Sequence, residues 1–280
     1  MRDDFAAMIC SHGRAETMTT YSMLRNQGYT GKIIVVIDDE DDQREAYEKN
    51  FECVEVFCKE EYYEKSDGVI QGKQKGILYA RNACYDIAEK YGLKYFTEFD
   101  DDLSAVRVRA AEDGTTKSCV VKNLDELFEA MLEVFKSPKV KSVSALSQGD
   151  YIGGAASKGF NQCVRVCNQA FFLMTERRVD FIASMNEDIC SCLTYGMRGD
   201  LFLGLNGTMF LAEPIGNNTK MGNGMSEFYK KLEPFARSFI GVIVRPDCVV
   251  SESTDDSFRI KVKWDYAVPK ILNERYKKYA

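Results

Sequence analysis

Three consecutive aspartates follow a short apolar segment near residue 100. The segment Phe96–Phe99 runs directly into Asp100, Asp101 and Asp102. Neighbouring carboxylates repel one another, so such a cluster costs stability unless a cation offsets the charge. Oxygen ligands without nearby His or Cys suit Mg²⁺ or Mn²⁺, which bind one or two carboxylates together with substrate phosphates. Because side chains alternate along a strand, we predict Asp100 and Asp102 as the metal pair, with a solvated acidic turn as the alternative.

Two segments nearer the C-terminus combine charge with a suggestive pattern. Residues 217–224 are rich in Gly and Asn around Lys220, and such a loop could close over a diphosphate while Lys220 offsets leaving-group charge. An ordinary surface loop is the alternative. Residues 259–264 alternate charged and apolar side chains, which predicts a strand with one basic face. The residues predicted to bind a phosphate backbone are Lys261, Lys263, Lys270 and Arg275, against the alternative of a solvated basic tail.

The first hundred residues carry the strand and helix patterns that would position these groups. Apolar strands are predicted at 6–10, 32–37, 54–57 and 94–99, with helices at 15–26 and 76–91. This order predicts an α/β fold with a mostly parallel sheet and right-handed crossovers. Ligands of such sheets collect at the carboxyl ends of the strands, where the acidic clusters 38–42 and 100–102 both lie.

The pattern after residue 102 is looser. A helix is predicted over 124–135, with Asn123 as its N-cap, and another over 187–195. Strands are predicted at 142–146, 162–166, 170–174 and 238–244. Residues 199–227 show little period and are predicted to form a long functional loop.

Composition indicates one globular unit. The chain has 280 residues, 45% of them apolar and 29% charged, and no Pro/Ser/Gly linker divides it. We predict a single domain over 1–280, with a first half at 1–103 and a second half at 104–280. No apolar segment approaches the ~20 residues of a membrane span, and the N-terminus lacks a signal-peptide pattern, so no membrane association is expected.

Cysteine usage and charge narrow the possible functions. There are ten Cys but one His and no Cys-x-x-Cys pair, which argues against zinc and favours reduced core thiols. Residues 1–102 carry 13 Lys and Arg against 22 Asp and Glu, whereas residues 228–280 carry 11 against 7. The acidic third is therefore expected to hold the metal, and the basic third could meet a polyanion.

Four motifs in order resemble the nucleotide-sugar half of GT-A glycosyltransferases. They are Ile9–Arg14, Ile37–Asp39, Ala80–Ala83 and Asp100–Asp102, within roughly residues 6–102. The resemblance implies a GT-A fold, a UDP-sugar donor and Mn²⁺ or Mg²⁺. It implies donor contacts at Ser11, Arg14, Asp38, Asp39, Arg81 and Asp101, with Asp38 or Asp39 near the uracil or ribose. For Arg81, an arginine on the helix surface is the alternative.

A second set of motifs resembles bacteriophage DNA-modifying glycosyltransferases related to the TET-associated glycosyltransferases. It comprises Gly222–Tyr229, Arg237–Phe239, Arg245–Cys248 and Val268–Leu272. Such enzymes transfer a sugar, glucose or arabinose for example, from a nucleotide donor to the hydroxymethyl group of 5-hydroxymethylcytosine. The resemblance implies DNA with a hydroxymethylated pyrimidine as partner, no obligate protein partner, and the cytoplasm of an infected bacterial host as location.

The segment Ser184–Asp188 resembles the acidic element that many GT-A enzymes place beside the acceptor. A hydroxymethyl oxygen is a poor nucleophile, so a carboxylate acting as general base would help it attack the sugar. Asp188 is the first choice for that base and Glu187 the second. The alternative is a helix N-terminus whose acidic residues favour the helix dipole.

Three rival functions share parts of this pattern. A GT-A enzyme acting on a glycan, lipid or protein would keep residues 6–102 but would not bind DNA. A nucleotidyltransferase should show a basic Gly-rich phosphate loop, and Ser11–Arg14 is too short for one. A binding module without activity would tolerate loss of Asp102.

Overall fold

The computed structural model describes residues 1–66, 77–162, 164–212, 234–254 and 257–267. The strands are β1 (Phe5–Cys10), β2 (Lys32–Asp38), β3 (Val54–Phe57), β4 (Tyr95–Asp100), β5 (Leu103–Glu112), β6 (Thr115–Val120), β7 (Val140–Leu146), β8 (Ala170–Met174), β9 (Leu201–Ala212), β10 (Val249–Thr254) and β11 (Ser257–Val262). The α-helices are α1 (Thr20–Asn26), α2 (Arg44–Asn50), α3 (Lys59–Lys65), α4 (Ile77–Lys90), α5 (Leu124–Glu133), α6 (Lys158–Asn161), α7 (Glu187–Met197), α8 (Pro234–Val244) and α9 (Trp264–Ala267).

One large mixed sheet organises the described residues. Its nine strands run in the order β3-β2-β1-β4-β8-β7-β9-β5-β6. The strands β3, β2, β1 and β4 are mutually parallel, as predicted, whereas β8 is antiparallel to β4 and β7 is antiparallel to β8. The predicted α/β class with a Rossmann-like first half is therefore confirmed, and the sheet extends across the expected boundary near residue 103.

Both faces of the central strands are covered, which explains their continuous apolar sequences. Every residue of β1 is buried, and in β2 only Lys32 is exposed. Helix α4 packs on one face, where Phe96 joins its core cluster, and α5 packs on the other, where Phe99 contacts Phe128. Alternation along β4 therefore points Phe96, Glu98 and Asp100 toward the α4 side.

A β-hairpin that sequence reasoning did not predict follows the aspartate cluster. Strands β5 and β6 pair antiparallel and are joined by Asp113 and Gly114, both with positive φ (52° and 75°). Two such residues form the hairpin turn that matches the twist of paired strands. The Asp-Gly dipeptide was the signal that could have found this hairpin.

Helix α1 begins five residues later than predicted. The helical pattern started at Ala15, but the first residue of the helix is Thr20. The N–H groups of Thr19 and Thr20 donate to the carbonyl of Asp101, so the turn after β4 determines where the helix starts. The predicted C-terminus is correct, because Gly28 adopts φ +84° just beyond it.

The predicted loop over 199–227 is wrong for its first part. Residues 201–212 form β9, which pairs parallel with β7 and antiparallel with β5. Gly204 and Gly207 hid the strand pattern, and a side chain at Gly204 would collide with Leu146. Residues 213–227 lie outside the described part of the chain.

The predicted strand 238–244 is a helix instead. It forms the end of α8, where Ile240 and Val244, four residues apart, pack beside Met185 and Cys190. A short apolar run fits a buried strand and a packed helix equally well, and tertiary packing decided here. The strand predicted at 162–166 is absent from its described residues, which contribute one isolated bridge between Val164 and Gly204.

The last described elements form a small unit in which α8 packs on the antiparallel hairpin β10–β11. The predicted strand at 259–264 is confirmed as far as Val262, and Trp264 starts α9. Of the nine described cysteines, six are buried and all are free thiols. Over the described ranges, no helix combines the length and apolar character needed to cross a membrane.

Candidate functional site

The carboxyl ends of β1, β2 and β4 lie side by side. The three strands are adjacent and parallel, and Cys10 pairs in register with Val36 on one side and Asp100 on the other. Residues that follow these strand ends therefore meet at one edge of the sheet. This edge holds the predicted donor residues from the first forty positions together with the aspartate cluster.

Asp101 binds the loop after β1. Its carboxylate accepts hydrogen bonds from Ser11 Oγ at 2.7 Å and from the Arg14 guanidinium at 2.5 Å. The Tyr47 hydroxyl contacts Ser11 Oγ at 2.7 Å and accepts the Arg14 N–H at 2.8 Å. Burial raises the pKa of Asp101, while Arg14 and Ser11 oppose that shift. Three predicted donor residues, Ser11, Arg14 and Asp101, thus form one cluster.

His12 fills the space between β1 and the acidic end of β2. Its Nδ1 lies 2.8 Å from Asp38 and 3.6 Å from Asp41, and the Gly13 N–H donates to Asp41 at 2.8 Å. Burial raises the pKa of Asp38, but the hydrogen bond and charge of His12 outweigh burial, so the net pKa is lowered. Asp38 is therefore an ionised, partly enclosed carboxylate at the position predicted for a nucleoside contact.

Asp39 occupies a different environment from Asp38. It is exposed, and its carboxylate accepts the backbone N–H of Lys59 at 3.0 Å, at the start of α3. The side chain of Lys59 is buried and pairs with Glu40 at 2.8 Å. Both predicted nucleoside residues thus lie at the end of β2, but only Asp38 faces the loop that carries His12.

Asp100 is the last residue of β4, and its backbone is hydrogen-bonded to the residue before β8 and to the first residue of α1. Its N–H donates to the carbonyl of Gln169 at 3.0 Å, and its own carbonyl accepts from Thr20 Oγ at 2.6 Å. Burial raises the pKa of Asp100 to about 7, and repulsion from Asp102 and Glu187 adds to the shift. Arg81 opposes this shift, so Asp100 is a buried carboxylate that faces one cation and two further carboxylates.

Arg81 lies beneath Asp100 in the core. It is 2% exposed, and its guanidinium lies 3.0 Å from Asp100, 3.7 Å from Glu98 and 3.5 Å from Glu187. The ring of Phe171 packs 4.7 Å from the guanidinium carbon. The alternative of a surface arginine is wrong, because α4 buries this side chain. Its predicted contact with the sugar diphosphate stays a prediction.

The two candidate bases begin α7. The preceding Asn186 adopts φ +51°, a left-handed conformation that turns the chain into the helix. Burial and the neighbouring Asp188 raise the pKa of Glu187 to about 7, against the effect of Arg81. Burial also raises the pKa of Asp188, whose carboxylate accepts the Ile189 N–H at 2.7 Å. Because Glu187 is buried against Arg81 and Asp188 is less buried, Asp188 is the more accessible base.

The predicted DNA contacts are only partly described. Lys261 lies on β11 and Lys263 directly follows it, and both are exposed. Lys261 and Arg259 pair with Glu252 on β10, at 2.5 Å and 2.9 Å. The basic face was predicted, but its acidic partner strand was not. The residues Lys220, Lys270 and Arg275 lie outside the described residues.

The donor set at the end of β4 fits a divalent cation that is also held by phosphate. Asp100 and Asp102 would supply carboxylate oxygens. Burial is the main cause of the raised pKa of Asp100, and repulsion from Asp102 and Glu187 adds to it against the effect of Arg81. Within the described residues, no group of three or more His, Cys, Asp or Glu side chains is arranged to hold a metal by itself. A cation here would therefore take its remaining ligands from a diphosphate and water.

Sequence reasoning missed several residues that build the site. Tyr47 orients Ser11 and Arg14, Gln169 binds the backbone of Asp100, and Glu98 faces Arg81. Glu98 could have been found, because a Glu inside a buried strand needs a nearby cation. Tyr47 and Gln169 lie far from the motifs in sequence and carried no signal.

The comparisons with known proteins agree with this geometry. A family model described as TET-Associated Glycosyltransferase matches residues 5–222. The matched range includes every element from β1 to β9 and both candidate bases, but not the hairpin β10–β11. No curated protein matches the chain.

Proposed function

Because the chain belongs to the TET-associated glycosyltransferase family, we propose that it transfers a sugar from a UDP-sugar to 5-hydroxymethylcytosine in phage DNA. The acceptor oxygen is that of the hydroxymethyl group, and the sugar is of the glucose or arabinose class. Glycosyl transfer follows from the family. The donor, the sugar and the DNA acceptor are the proposal.

One observation carries the proposal: Arg81 contacts the carboxylates of both Asp100 and Glu187. Asp100 ends the strand beside the donor cluster, and Glu187 begins the helix that carries the candidate bases. The proposed donor end and the proposed acceptor end of the site therefore contact the same arginine side chain. Such proximity is what a direct transfer between two bound substrates requires.

On the donor side, the loop after β1 and the end of β2 would bind the nucleotide. Asp38 can accept hydrogen bonds from a uracil N–H or a ribose hydroxyl, because His12 helps to keep it ionised. Arg14 is partly exposed and held by Asp101, so its remaining N–H groups can bind phosphate oxygens.

At the end of β4, Asp100 and Asp102 would hold Mn²⁺ or Mg²⁺ against the diphosphate. A divalent cation held by these two residues would supply positive charge to offset the charge that develops on departing UDP. Through that cation, the two aspartates would keep the diphosphate next to the strand end.

On the acceptor side, Asp188 would remove the proton from the hydroxymethyl group. The hydroxymethyl oxygen then forms a bond to C1 of the sugar, the C1–O bond to UDP breaks, and UDP leaves with the electron pair. Burial raises the pKa of Asp188, which supports this role because a more basic carboxylate accepts a proton more readily.

The test is a transfer assay on defined DNA. Purified protein, Mn²⁺ and a panel of UDP-sugars are mixed with hydroxymethylated DNA, and the nucleosides are analysed by mass spectrometry. A sugar adduct on hydroxymethylcytosine is expected, with none on the matched unmodified DNA. Absence of an adduct with every donor contradicts the DNA acceptor, and transfer to a glycan, lipid or protein instead would establish the rival acceptor.

A further inference from the structure

Glu98 is a charged residue where the sheet calls for an apolar one. It lies in the middle of the sheet, in register with Met8 of β1 and Phe171 of β8, and it is 0% exposed. Neither oxygen of its carboxylate has a hydrogen-bond partner. Burying an ionised carboxylate in this way destabilises the fold unless an opposite charge offsets the loss of hydration.

The guanidinium of Arg81 faces Glu98, but it also faces two other carboxylates, those of Asp100 and Glu187. Its Nη2 lies 3.0 Å from Asp100, whereas Glu98 and Glu187 lie at 3.7 Å and 3.5 Å. The Nε and Nη1 atoms of Arg81 make no hydrogen bond. One cation is therefore divided among three carboxylates, and only the contact with Asp100 is within hydrogen-bond distance.

A cation shared in this way competes with a metal at Asp100. If Arg81 were neutralised by Asp100 and Glu187 alone, it would be attracted more strongly to both, and Asp100 would be less available to another cation. Glu98 lies two residues before Asp100 on the same face of β4, and it faces a different nitrogen of the guanidinium, Nη1. Attraction toward Glu98 weakens the ion pair between Arg81 and Asp100.

We propose that Glu98 is a positioning residue for the cation site: by attracting Arg81 it weakens the ion pair between Arg81 and Asp100, so that a divalent cation can compete for the Asp100 carboxylate. This inference rests on the cation site of the proposed function, and it concerns how that site is kept available. Glu98 acts through Arg81 and touches neither donor nor acceptor.

The experiment measures Mn²⁺ binding without donor or acceptor. Free Mn²⁺ is followed by electron paramagnetic resonance as it is titrated into wild-type protein, Glu98→Gln, Arg81→Met and the double variant. Glu98→Gln is expected to weaken Mn²⁺ binding about tenfold, because Arg81 then pairs more tightly with Asp100. Arg81→Met is expected to strengthen binding, since the competing cation is gone.

The double variant decides whether Glu98 acts through Arg81. In the Arg81→Met background, Glu98→Gln should change the affinity by less than about threefold, because no guanidinium is left to reposition. An equal tenfold loss in both backgrounds contradicts the proposal. So does a weaker affinity in both single variants, which is the result of a purely structural role.

Two controls keep the result interpretable. Glu55→Gln removes a carboxylate of the edge strand β3, which pairs with Lys90 at the end of α4. This variant should leave the Mn²⁺ affinity unchanged. If Arg81→Met does not fold, Glu98→Asp replaces it: this variant keeps the charge at a longer distance and should bind Mn²⁺ with intermediate affinity. An affinity for Glu98→Asp no better than that of Glu98→Gln contradicts the proposal.

Failure of the proposed function gives a different outcome. If the wild-type protein binds no Mn²⁺, the cation site of the proposed function does not exist. Wild-type protein that binds Mn²⁺, with Glu98→Gln binding equally well, leaves the cation site intact and overturns only the role of Glu98.

Discussion

The strand-end cluster and the C-terminal hairpin both concentrate charge, but they differ in how that charge is balanced. At the ends of β4 and α7, Arg81 is divided among three carboxylates, and Asp102 and Asp188 add further negative charge. On the hairpin, Glu252 pairs with Arg259 and Lys261, and all three are largely in contact with solvent.

This difference in charge balance distinguishes a candidate functional site from an ordinary charged surface. Charges on the hairpin are screened by water and paired with each other, so removing one changes little. Carboxylates at the strand end are enclosed and only partly neutralised, and burial moves the pKa of Asp100 and Glu187 to about 7. We therefore expect substitutions in the first region to have large effects and those in the second to have small ones.

The largest effect is expected at the predicted metal pair, Asp100 and Asp102. Asp102→Ala and Asp100→Asn should each reduce kcat for transfer by roughly 10²–10³, the loss typical when charge stabilisation of a leaving group is removed. Steady-state assays with UDP-sugar and hydroxymethylated DNA measure this. The exposed Asp42→Asn serves as the control and should retain full activity. Near-normal activity in Asp102→Ala would show that the acidic cluster is not the reaction centre.

A second prediction concerns the pH dependence of stability. Glu187 has a pKa of about 7 in the folded chain, against an ordinary value near 4.3 when unfolded. The folded state therefore holds the proton more tightly, and this stabilisation is fully present below pH ~4 and is lost as pH rises through 7. The unfolding free energy of metal-free protein should fall over that window, by as much as about 3 kcal/mol from this group.

Thermal or urea unfolding between pH 5 and 8 measures that fall. Glu187→Gln should make it shallower, while the exposed Glu133→Gln should leave it unchanged. Mn²⁺ should reduce the fall at the upper end, because it offsets the same negative charge. A slope unaffected by Glu187→Gln would mean that this carboxylate is not held protonated.

A third and smaller effect is expected at Tyr47. Its hydroxyl contacts Ser11 Oγ and accepts the Arg14 N–H, so Tyr47→Phe should cost about 1 kcal/mol of stability and raise KM for the donor. Tyr91→Phe is the matched control, because that hydroxyl bonds Glu55 on the edge strand, away from the cluster. The two variants should lose similar stability, and only Tyr47→Phe should change donor KM.

The smallest effect is expected on the hairpin. Glu252→Gln releases Arg259 and Lys261 from their acidic partner, so DNA affinity should rise by about two- to threefold and its salt dependence should steepen. Fluorescence anisotropy over a salt series measures both quantities. Glu112→Gln on the hairpin β5–β6, where Glu112 pairs with Lys117, is the control. A tenfold or larger change in DNA affinity for Glu252→Gln would contradict the expectation that substitutions on this hairpin have small effects.

Sequence reasoning predicted the candidate site from side chains of one kind that lie next to a strand in the sequence. The strands β1, β2 and β4 were predicted because parallel strands buried on both faces have continuous apolar sequences. The convergence of Ser11, Arg14 and Asp101 followed from that topology and from the family motifs. The aspartate pair was identified because three adjacent carboxylates have few structural explanations.

Long-range packing was beyond the sequence patterns. Residues 238–244 read as a strand, but contact with Met185 and Cys190 made them helical. Glycines at 204 and 207 concealed β9, and the position of Glu98 against Arg81 depends on how α4 lies over β4. In each case the deciding partner lies more than 15 positions away, outside any local window.

The start of α1 has a consequence for how the chain is made. Thr19 and Thr20 donate their N–H groups to Asp101, and Thr20 Oγ also bridges Asp100 and Leu103. In a nascent chain, the native contacts at the start of this helix therefore cannot form until β4 and the turn after it have left the ribosome. Gln169, which binds the backbone of Asp100, emerges later still, so this edge of the sheet reaches its final form only after β8 has been synthesised.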